Sequence, residues 1–216
     1  MDAMARRRAE MVDQQIAARG VEDARVLSAM RQVPRERFVP KNLRKHAFQD
    51  SPLPIGLDQT ISQPYIVALM TEKLLLKATD RALEVGTGSG YAAAVMSMIA
   101  AEVYTIERHG RLALQAARRL TEMGFTNVQV EHGNGYQGWP EQAPFDAIMV
   151  SAGGTEVPPP LLEQLALGGR LVVPVGDTAH HQRLLRITRH SEAEYEEERL
   201  AYVAFVPLID ATAEEG

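Results

Sequence analysis

Residues 81–90 read RALEVGTGSG, and the small-residue run YAAAVMSMIAA follows at 91–101. A short apolar run that ends in glycine is typical of a buried strand, and the run after it predicts a helix. Glycine permits a tight turn between the two and lets a ligand approach the backbone closely. The helix N-terminus behind the turn attracts negative charge. We therefore predict a strand, a ligand-binding turn and a helix here, rather than a turn that only connects them.

The chain on the C-terminal side of this segment continues the alternation of strand and helix. Apolar runs predict further strands at 102–107, 128–133, 145–152 and 168–176, with a helix ending at Gly124 and a helical turn near 160–165. Such alternation predicts an α/β fold with a doubly wound, mostly parallel sheet. Residues 182–189 and 196–206 read as two consecutive strands, which we expect to form an antiparallel pair at one edge.

The N-terminal part has a different character, because its apolar residues recur at helical spacing. Helices are predicted around Val12 and Ile16, over 26–33, and from Pro64 onward, with proline-rich breaks between them. We divide the chain into an N-terminal helical and substrate-side segment (1–78), a ligand-binding core (79–210) and a frayed tail (211–216). All three belong to one compact unit.

Composition excludes several kinds of site and partner. The chain has 216 residues, a net charge of −5 and no cysteine, so disulfides, thiolate metal sites and a cysteine nucleophile are excluded. The histidines show no metal-ligand spacing, and no metal is expected. The charge gives no global attraction to nucleic acid. No run approaches the roughly 18 apolar residues of a membrane span, and the start lacks a secretory signal. We expect a monomeric cytoplasmic protein without nucleic-acid or membrane partners.

The spacing of the glycines separates two classes of ligand. Dinucleotide sites favour G-x-G-x-x-G, whereas residues 84–90 read E-V-G-T-G-S-G. This resembles motif I of the class I methyltransferases, which bind S-adenosylmethionine. The resemblance implies that the loop holds the amino-acid part of the cofactor. Glu107 ends the next predicted strand, where a carboxylate can accept both ribose hydroxyl protons. The predicted cofactor residues of this region are Glu84, Gly86, Thr87, Gly88, Gly90 and Glu107.

Asn134 and Gly135 follow the third strand, where the adenine is expected. The resembled families usually have aspartate at the position of Asn134. Asparagine can still accept from the adenine amino group through its side-chain oxygen, and an aspartate here is expected to bind adenine at least as tightly. Tyr136 and Trp139 either line the adenine site or serve loop packing.

A more specific resemblance lies in PIGLDQTISQP at 54–64, and it extends over VPRERFV (33–39), PFDAI (144–148), GGRL (168–171), PVG (174–176) and FVPL (205–208). These segments resemble the protein-L-isoaspartate O-methyltransferases, in the same order along the chain. The chain departs from that pattern at Asn134 and in the AGG stretch at 152–154, where the family usually has alanines.

The resemblance implies a function and a set of site residues. It implies methyl transfer from S-adenosylmethionine, with S-adenosylhomocysteine as product, to the free α-carboxylate of L-isoaspartyl residues in damaged proteins and peptides. The ester then closes to a succinimide, which starts repair. Ser62 is implied as the catalytic residue, although local sequence alone favours it as a helix N-cap. The implied site also includes Gln59 and Thr60 toward the cofactor, and Ile61, Ser62, Gln63, Pro64, Val206, Pro207 and Leu208 toward the substrate.

Three other functions stay open at this point. The chain can be a class I methyltransferase for a different carboxylate, small molecule or RNA base. It can be a non-catalytic cofactor-binding module, although the intact T-I-S-Q-P element at 60–64 counts against that. It can be a nicotinamide oxidoreductase, which the glycine spacing disfavours.

Overall fold

The computed structural model describes residues 3–177 and 181–210. Within them, the central feature is a seven-stranded sheet of order β5-β4-β3-β6-β7-β8-β9. The first five of its strands in chain order are parallel, and the last two are antiparallel. The predicted doubly wound sheet and its antiparallel edge pair are therefore confirmed. The strands are β3 (Arg81–Val85), β4 (Glu102–Glu107), β5 (Val128–His132), β6 (Phe145–Val150), β7 (Leu165–Val175), β8 (Gln182–Arg189) and β9 (Tyr195–Val203).

Hydrophobic clusters cover both faces of this sheet. Successive side chains of a strand point to opposite faces, and Ala82 and Leu83 accordingly belong to two different buried clusters. The first cluster contains the N-terminal segment and the helix α4 (Tyr91–Ser97). The second contains Leu161 of the short helix α6 (Pro159–Glu163). The helix α5 (Gly110–Glu122) buries Leu112, Ala113, Ala116 and Leu120 along one face.

The N-terminal segment forms helices as predicted, with one element that the sequence did not reveal. It comprises α1 (Ala3–Met11), a π-helical turn (Val12–Ile16), α2 (Ala24–Gln32) and α3 (Pro64–Lys73). Between α2 and α3 lies a hairpin of β1 (Leu53–Gly56) and β2 (Gln59–Ile61), in which Leu53 pairs with Ile61. The sequence pattern at 52–56 indicates only a proline-rich break and does not predict this hairpin. The hairpin places 59–62 beside the carboxyl end of the parallel sheet.

The prediction that Ser62 caps helix α3 is wrong. The residue at the N-cap is Gln63, with φ −49° and ψ 136°, and its side chain makes no capping hydrogen bond. Pro64 occupies the first helical turn, where its missing N–H costs nothing. The hydroxyl of Ser62 therefore does not cap the N-terminus of helix α3.

Several element boundaries move by a few residues from those predicted. Helix α4 ends at Ser97 rather than 101, and β7 begins at Leu165 rather than 168. None of the helices in residues 3–177 and 181–210 is long and apolar enough to cross a membrane. The predicted frayed tail, 211–216, lies outside the described residues.

Candidate active site

A cleft opens at the carboxyl ends of β3 and β6. These neighbouring strands lead to crossovers on opposite sides, and open α/β sheets bind their ligands at such a switch point. The cleft encloses about 760 Å³ of space, part of it open to solvent. Of the predicted site residues it is lined by Gln59, Thr60, Ile61, Ser62, Glu84, Gly86, Thr87, Gly88, Glu107, Gly135, Val206, Pro207 and Leu208. Five separate stretches of the chain thus meet at one place.

The glycine loop forms one wall of the cleft, and its backbone requires glycine. Gly86 and Gly88 have φ of +94° and +52°, a region that L side chains rarely adopt. A Cβ on Gly88 would also lie 3.3 Å from Ile55 Cδ1 of the hairpin. Gly90 does not line the cleft. It has φ +87° and begins helix α4, so its role here is to form the turn.

Glu107 ends β4 at the edge of the glycine loop, as its position after a strand predicted. Its side chain is buried, with Oε2 accepting from the Gly88 N–H at 2.8 Å and Oε1 accepting from the His109 N–H at 2.9 Å. A carboxylate offers about four acceptor positions. Each oxygen therefore keeps capacity for one hydroxyl, and the side chain suits a ribose diol while it also anchors the loop.

Glu84 lies under the cleft as a fully buried carboxyl. Burial raises its pKa to about 8, and the charge of Glu107 acts in the same direction, although hydroxyl hydrogen bonds oppose them. Thr105 donates to Oε2 at 2.9 Å and Ser151 to Oε1 at 3.3 Å. Ser151 was missed by the sequence analysis. The available signal was its position directly after β6, next to the strand that carries Glu84.

The raised pKa of Glu84 has a consequence for stability against pH. The unfolded chain releases this proton near its ordinary pKa of 4.5, whereas the folded chain retains it to about 8. The folded state then binds more protons, so stability falls as pH rises through this window. Between pH 6 and 7 we expect the free energy of unfolding of wild type to fall by about 1 kcal/mol relative to that of Glu84→Gln. Urea unfolding of both proteins at each pH measures this, and parallel curves would contradict it.

The expected adenine end of the cleft contains Gly135 but not Asn134. The oxygen of Asn134 accepts from the Tyr136 N–H at 3.1 Å, and its Nδ2 donates to Asp210 Oδ1 at 2.8 Å. Trp139 packs edge-on against Tyr104, with ring centroids 5.6 Å apart, and does not line the cleft. Loop packing is therefore the role that the structure gives Trp139, and Asn134 joins the C-terminal segment to the site.

The contact with Asp210 reverses the effect expected of an aspartate at position 134. In Asn134→Asp, two carboxylates would face each other and loosen the neighbouring segment 206–209, which lines the cleft. Repulsion between two charges about 4 Å apart is worth about 1 kcal/mol in water and more where the charges are partly buried, as they are here. We expect affinity for S-adenosylhomocysteine, measured by calorimetric titration, to fall at least about fivefold. The exchanged pair Asn134→Asp/Asp210→Asn should recover it, and undiminished affinity in the single variant would contradict the prediction.

The T-I-S-Q-P element (60–64) forms another part of the cleft lining. Thr60 and Ser62 line both the cleft and an adjoining groove, which also contains Ser151, Val206 and Pro207. Gln63 lines only the groove, and its Nε2 donates to Asp50 Oδ2 at 2.7 Å. Pro64 lines neither and starts helix α3. Ser62 therefore lies at the junction between the cofactor-side cleft and an open groove.

The C-terminal segment 206–208 is fixed to the unusual AGG stretch. The Gly153 N–H donates to the Val206 carbonyl at 2.8 Å, and the Leu208 N–H donates to the Gly153 carbonyl at 2.7 Å. A Cβ on Gly153 would collide with the buried Gln182 side chain. Gln182 in turn accepts from the Phe205 N–H at 2.7 Å. Glycine at 153 thus makes room for a side chain that holds the start of this segment.

Comparison with known proteins identifies relatives over nearly the whole chain. Residues 6–213 match the family model described as protein-L-isoaspartate(D-aspartate) O-methyltransferase. Protein-L-isoaspartate O-methyltransferase 2 of Pelobacter propionicus is 55% identical over 205 residues, which cover 95% of this chain and 91% of that protein.

Solved structures agree with this match. A protein-L-isoaspartate O-methyltransferase superposes with a TM-score of 0.81 at 30% identity, covering 92% of this chain and 65% of that longer one. A candidate protein-L-isoaspartate O-methyltransferase from Plasmodium falciparum, in complex with S-adenosyl-L-homocysteine, superposes with a TM-score of 0.80 at 28% identity. That match covers 94% of this chain and 98% of the other.

Proposed function

The chain belongs to the protein-L-isoaspartate(D-aspartate) O-methyltransferase family, and from this membership we infer its function. It transfers a methyl group from S-adenosylmethionine to the free α-carboxylate of L-isoaspartyl residues in proteins and peptides. The resulting ester closes to a succinimide without further enzymatic help, and hydrolysis returns part of the material to normal aspartate. Methyl transfer to a matched pair of isoaspartyl and aspartyl peptides tests this function.

The observation that carries the proposal is the position of Ser62 between two spaces. One is the cleft with the glycine loop and Glu107, and the other is a groove open to solvent. We propose that the cleft holds the cofactor and the groove holds the peptide. Their shared lining, which includes Thr60, Ser62 and Ser151, then surrounds the point where the acceptor meets the methyl group.

The residues of the cleft fit S-adenosylmethionine in their chemistry. The positive-φ glycines expose backbone to a ligand, and Glu107 offers acceptors for a diol. Glu84 also lines the cleft, and a cation bound beside it would favour its ionised form.

The chain's own contribution to the chemistry is positioning. Bound S-adenosylmethionine supplies an electrophilic methyl group. The acceptor carboxylate is already ionised at pH 7, because its ordinary pKa is about 3.3–3.9, so no general base is needed. The residues must exclude water and aim the carboxylate, which is a proximity effect. The Ser62 hydroxyl, which does not cap helix α3, is available to donate a hydrogen bond to that carboxylate.

We expect Ser62→Ala to lower kcat/KM for an isoaspartyl peptide. A hydrogen bond to a charged group is worth about 1.5 kcal/mol or more, which corresponds to at least about tenfold. Since no capping bond is lost, the melting temperature should stay close to that of wild type. Turnover and melting are measured on one preparation. Full turnover in the variant would remove Ser62 from the catalytic role.

Three finer properties belong to the same proposal. We propose that the protein acts as a monomer in the cytoplasm, and that nucleic acid is not among its substrates. The net charge of −5 supports the last point, because a nucleic-acid substrate would favour a basic surface.

A further inference from the structure

The buried guanidinium of Arg35 lies directly behind the T-I-S-Q-P element. Arg35 is fully buried, with 0% of its surface exposed, although arginine is almost never buried without being paired. Its Nη2 donates to the Ser62 carbonyl at 2.8 Å, and its Nε donates to the Ala47 carbonyl at 2.9 Å. The side chain therefore joins the N-terminal segment to the backbone of the proposed catalytic residue.

The environment of this guanidinium is incompletely satisfied. Its Nη1 is buried and has no hydrogen-bond partner. The guanidinium carbon lies 4.8 Å from the ring centroid of Tyr91, and this cation–π contact offsets part of the lost hydration. Burial nevertheless lowers the pKa of Arg35 to about 10, so the side chain remains charged at neutral pH.

A buried cation with an unpaired donor is a poor way to stabilise a fold, because its desolvation is costly. Such a buried, incompletely hydrogen-bonded charge departs from the usual rule that buried polar groups are satisfied, and departures of this kind are expected at functional sites. Arg35 contacts two elements of the proposed site: it bonds to the backbone of Ser62, and it lies over Tyr91, which lines the cleft at the start of helix α4. The groove beside Ser62 is lined by no lysine, arginine or histidine among the residues that the structure describes.

We propose that Arg35 is a positioning residue for methyl transfer. By holding the Ser62 carbonyl it fixes the backbone of Ser62, and thus the direction in which the hydroxyl meets the acceptor carboxylate. It does not touch the substrate. This inference rests on the proposed function, because Ser62 is the group through which Arg35 acts.

The chain offers a matched control in Arg8. Arg8 is also mostly buried, with 9% of its surface exposed, and its Nε donates a hydrogen bond to the Arg31 carbonyl at 2.7 Å. It pairs with Glu36 at 3.0 Å and does not line the cleft or the groove. Arg8→Lys and Arg35→Lys therefore make the same chemical change in two buried arginines of the same segment, and only Arg35 is bonded to the T-I-S-Q-P element.

The experiment is a double-mutant cycle between Arg35→Lys and Ser62→Ala. We expect Arg35→Lys to lower kcat for an isoaspartyl peptide by about tenfold, and by no more than Ser62→Ala does, because Arg35 acts only through Ser62 and small misplacements at a reacting centre are costly. Affinity for S-adenosylhomocysteine should be retained. Arg8→Lys should keep kcat even if it melts earlier. The double variant should be no slower than Ser62→Ala alone, since coupled residues are not additive.

Each contrary outcome has a separate meaning. If wild type does not methylate the isoaspartyl peptide, the proposed function itself fails. If wild type is active, the positioning role is overturned by any of three results: kcat of Arg35→Lys equal to that of Arg8→Lys, effects of Arg35→Lys and Ser62→Ala that multiply, or full activity of Ser62→Ala. Should Arg35→Lys not fold, Arg35→Gln, which keeps one amide donor, replaces it in the same cycle.

Discussion

An isoaspartyl peptide should accept methyl at least about 100-fold faster than the aspartyl peptide of identical sequence. In an isoaspartyl residue the chain runs through the side-chain carbonyl, and the free carboxylate is the α-carboxylate. In normal aspartate the free carboxylate lies one methylene further from the main chain. We propose that the groove holds the peptide backbone beside Ser62 and that the cleft holds the methyl donor, and in this arrangement only the carboxylate of the isoaspartyl residue meets the methyl group. A displacement of about 1 Å can cost roughly 100-fold in rate.

The measurement uses labelled S-adenosylmethionine and the two peptides at equal concentration. Label should appear as a base-labile ester on the isoaspartyl peptide and remain near background on the aspartyl one. Equal labelling of both peptides would indicate a general carboxyl methyltransferase. Labelling of neither, with S-adenosylhomocysteine still bound, would point to a different acceptor or to a non-catalytic module.

Glu107→Gln should weaken the binding of S-adenosylhomocysteine by about 10- to 150-fold. The carboxylate accepts from the Gly88 and His109 N–H groups without any ligand, and we propose that it also accepts from the ribose. An amide nitrogen in place of one oxygen loses a ribose contact that forms only in the complex. A hydrogen bond to a charged group is worth about 1.5–3 kcal/mol, and calorimetric titration measures the loss.

Glu102→Gln is the matched control, because Glu102 lies at the opposite end of the same strand. It is exposed, pairs with Arg81 at 3.1 Å and does not line the cleft. The affinity of Glu102→Gln for S-adenosylhomocysteine should equal that of wild type. An affinity in Glu107→Gln close to that of Glu102→Gln would remove Glu107 from the ribose site and leave it only as an anchor of the loop.

The core of the fold was predictable from the sequence because its signals are local. A buried parallel strand reads as an unbroken apolar run, and glycine must occupy positions of positive φ such as Gly86 and Gly88. Glu107 was predictable for the same reason, since the carboxyl end of the strand after a glycine loop always faces the same edge of the sheet. Strand β3, the glycine loop and Glu107 therefore followed from short-range pattern and spacing.

The hairpin and the contacts between remote segments were not predictable in this way. Nothing local marks Leu53 and Ile61 as paired strands, because their register depends on what the hairpin packs against. The hydrogen bond from Asn134 to Asp210, which are 76 residues apart in the chain, likewise depends on the path of the C-terminal segment. Ser62 shows the same limit, because its local pattern favoured a cap that the tertiary structure assigns to Gln63.

The sequence by itself determined the order of strands and helices in the ligand-binding core, the glycine loop and the family to which the chain belongs. These properties depend on residues close together in the chain, whose periodicity and backbone preferences act before any long-range contact forms. Only the tertiary structure decided that Glu84 is a buried carboxyl with a pKa of about 8, and that Arg35 bonds to the Ser62 carbonyl from 27 residues away. Burial and long-range hydrogen bonding are properties of the packed molecule, since the low dielectric and the partners that shift a charge exist only once distant segments meet.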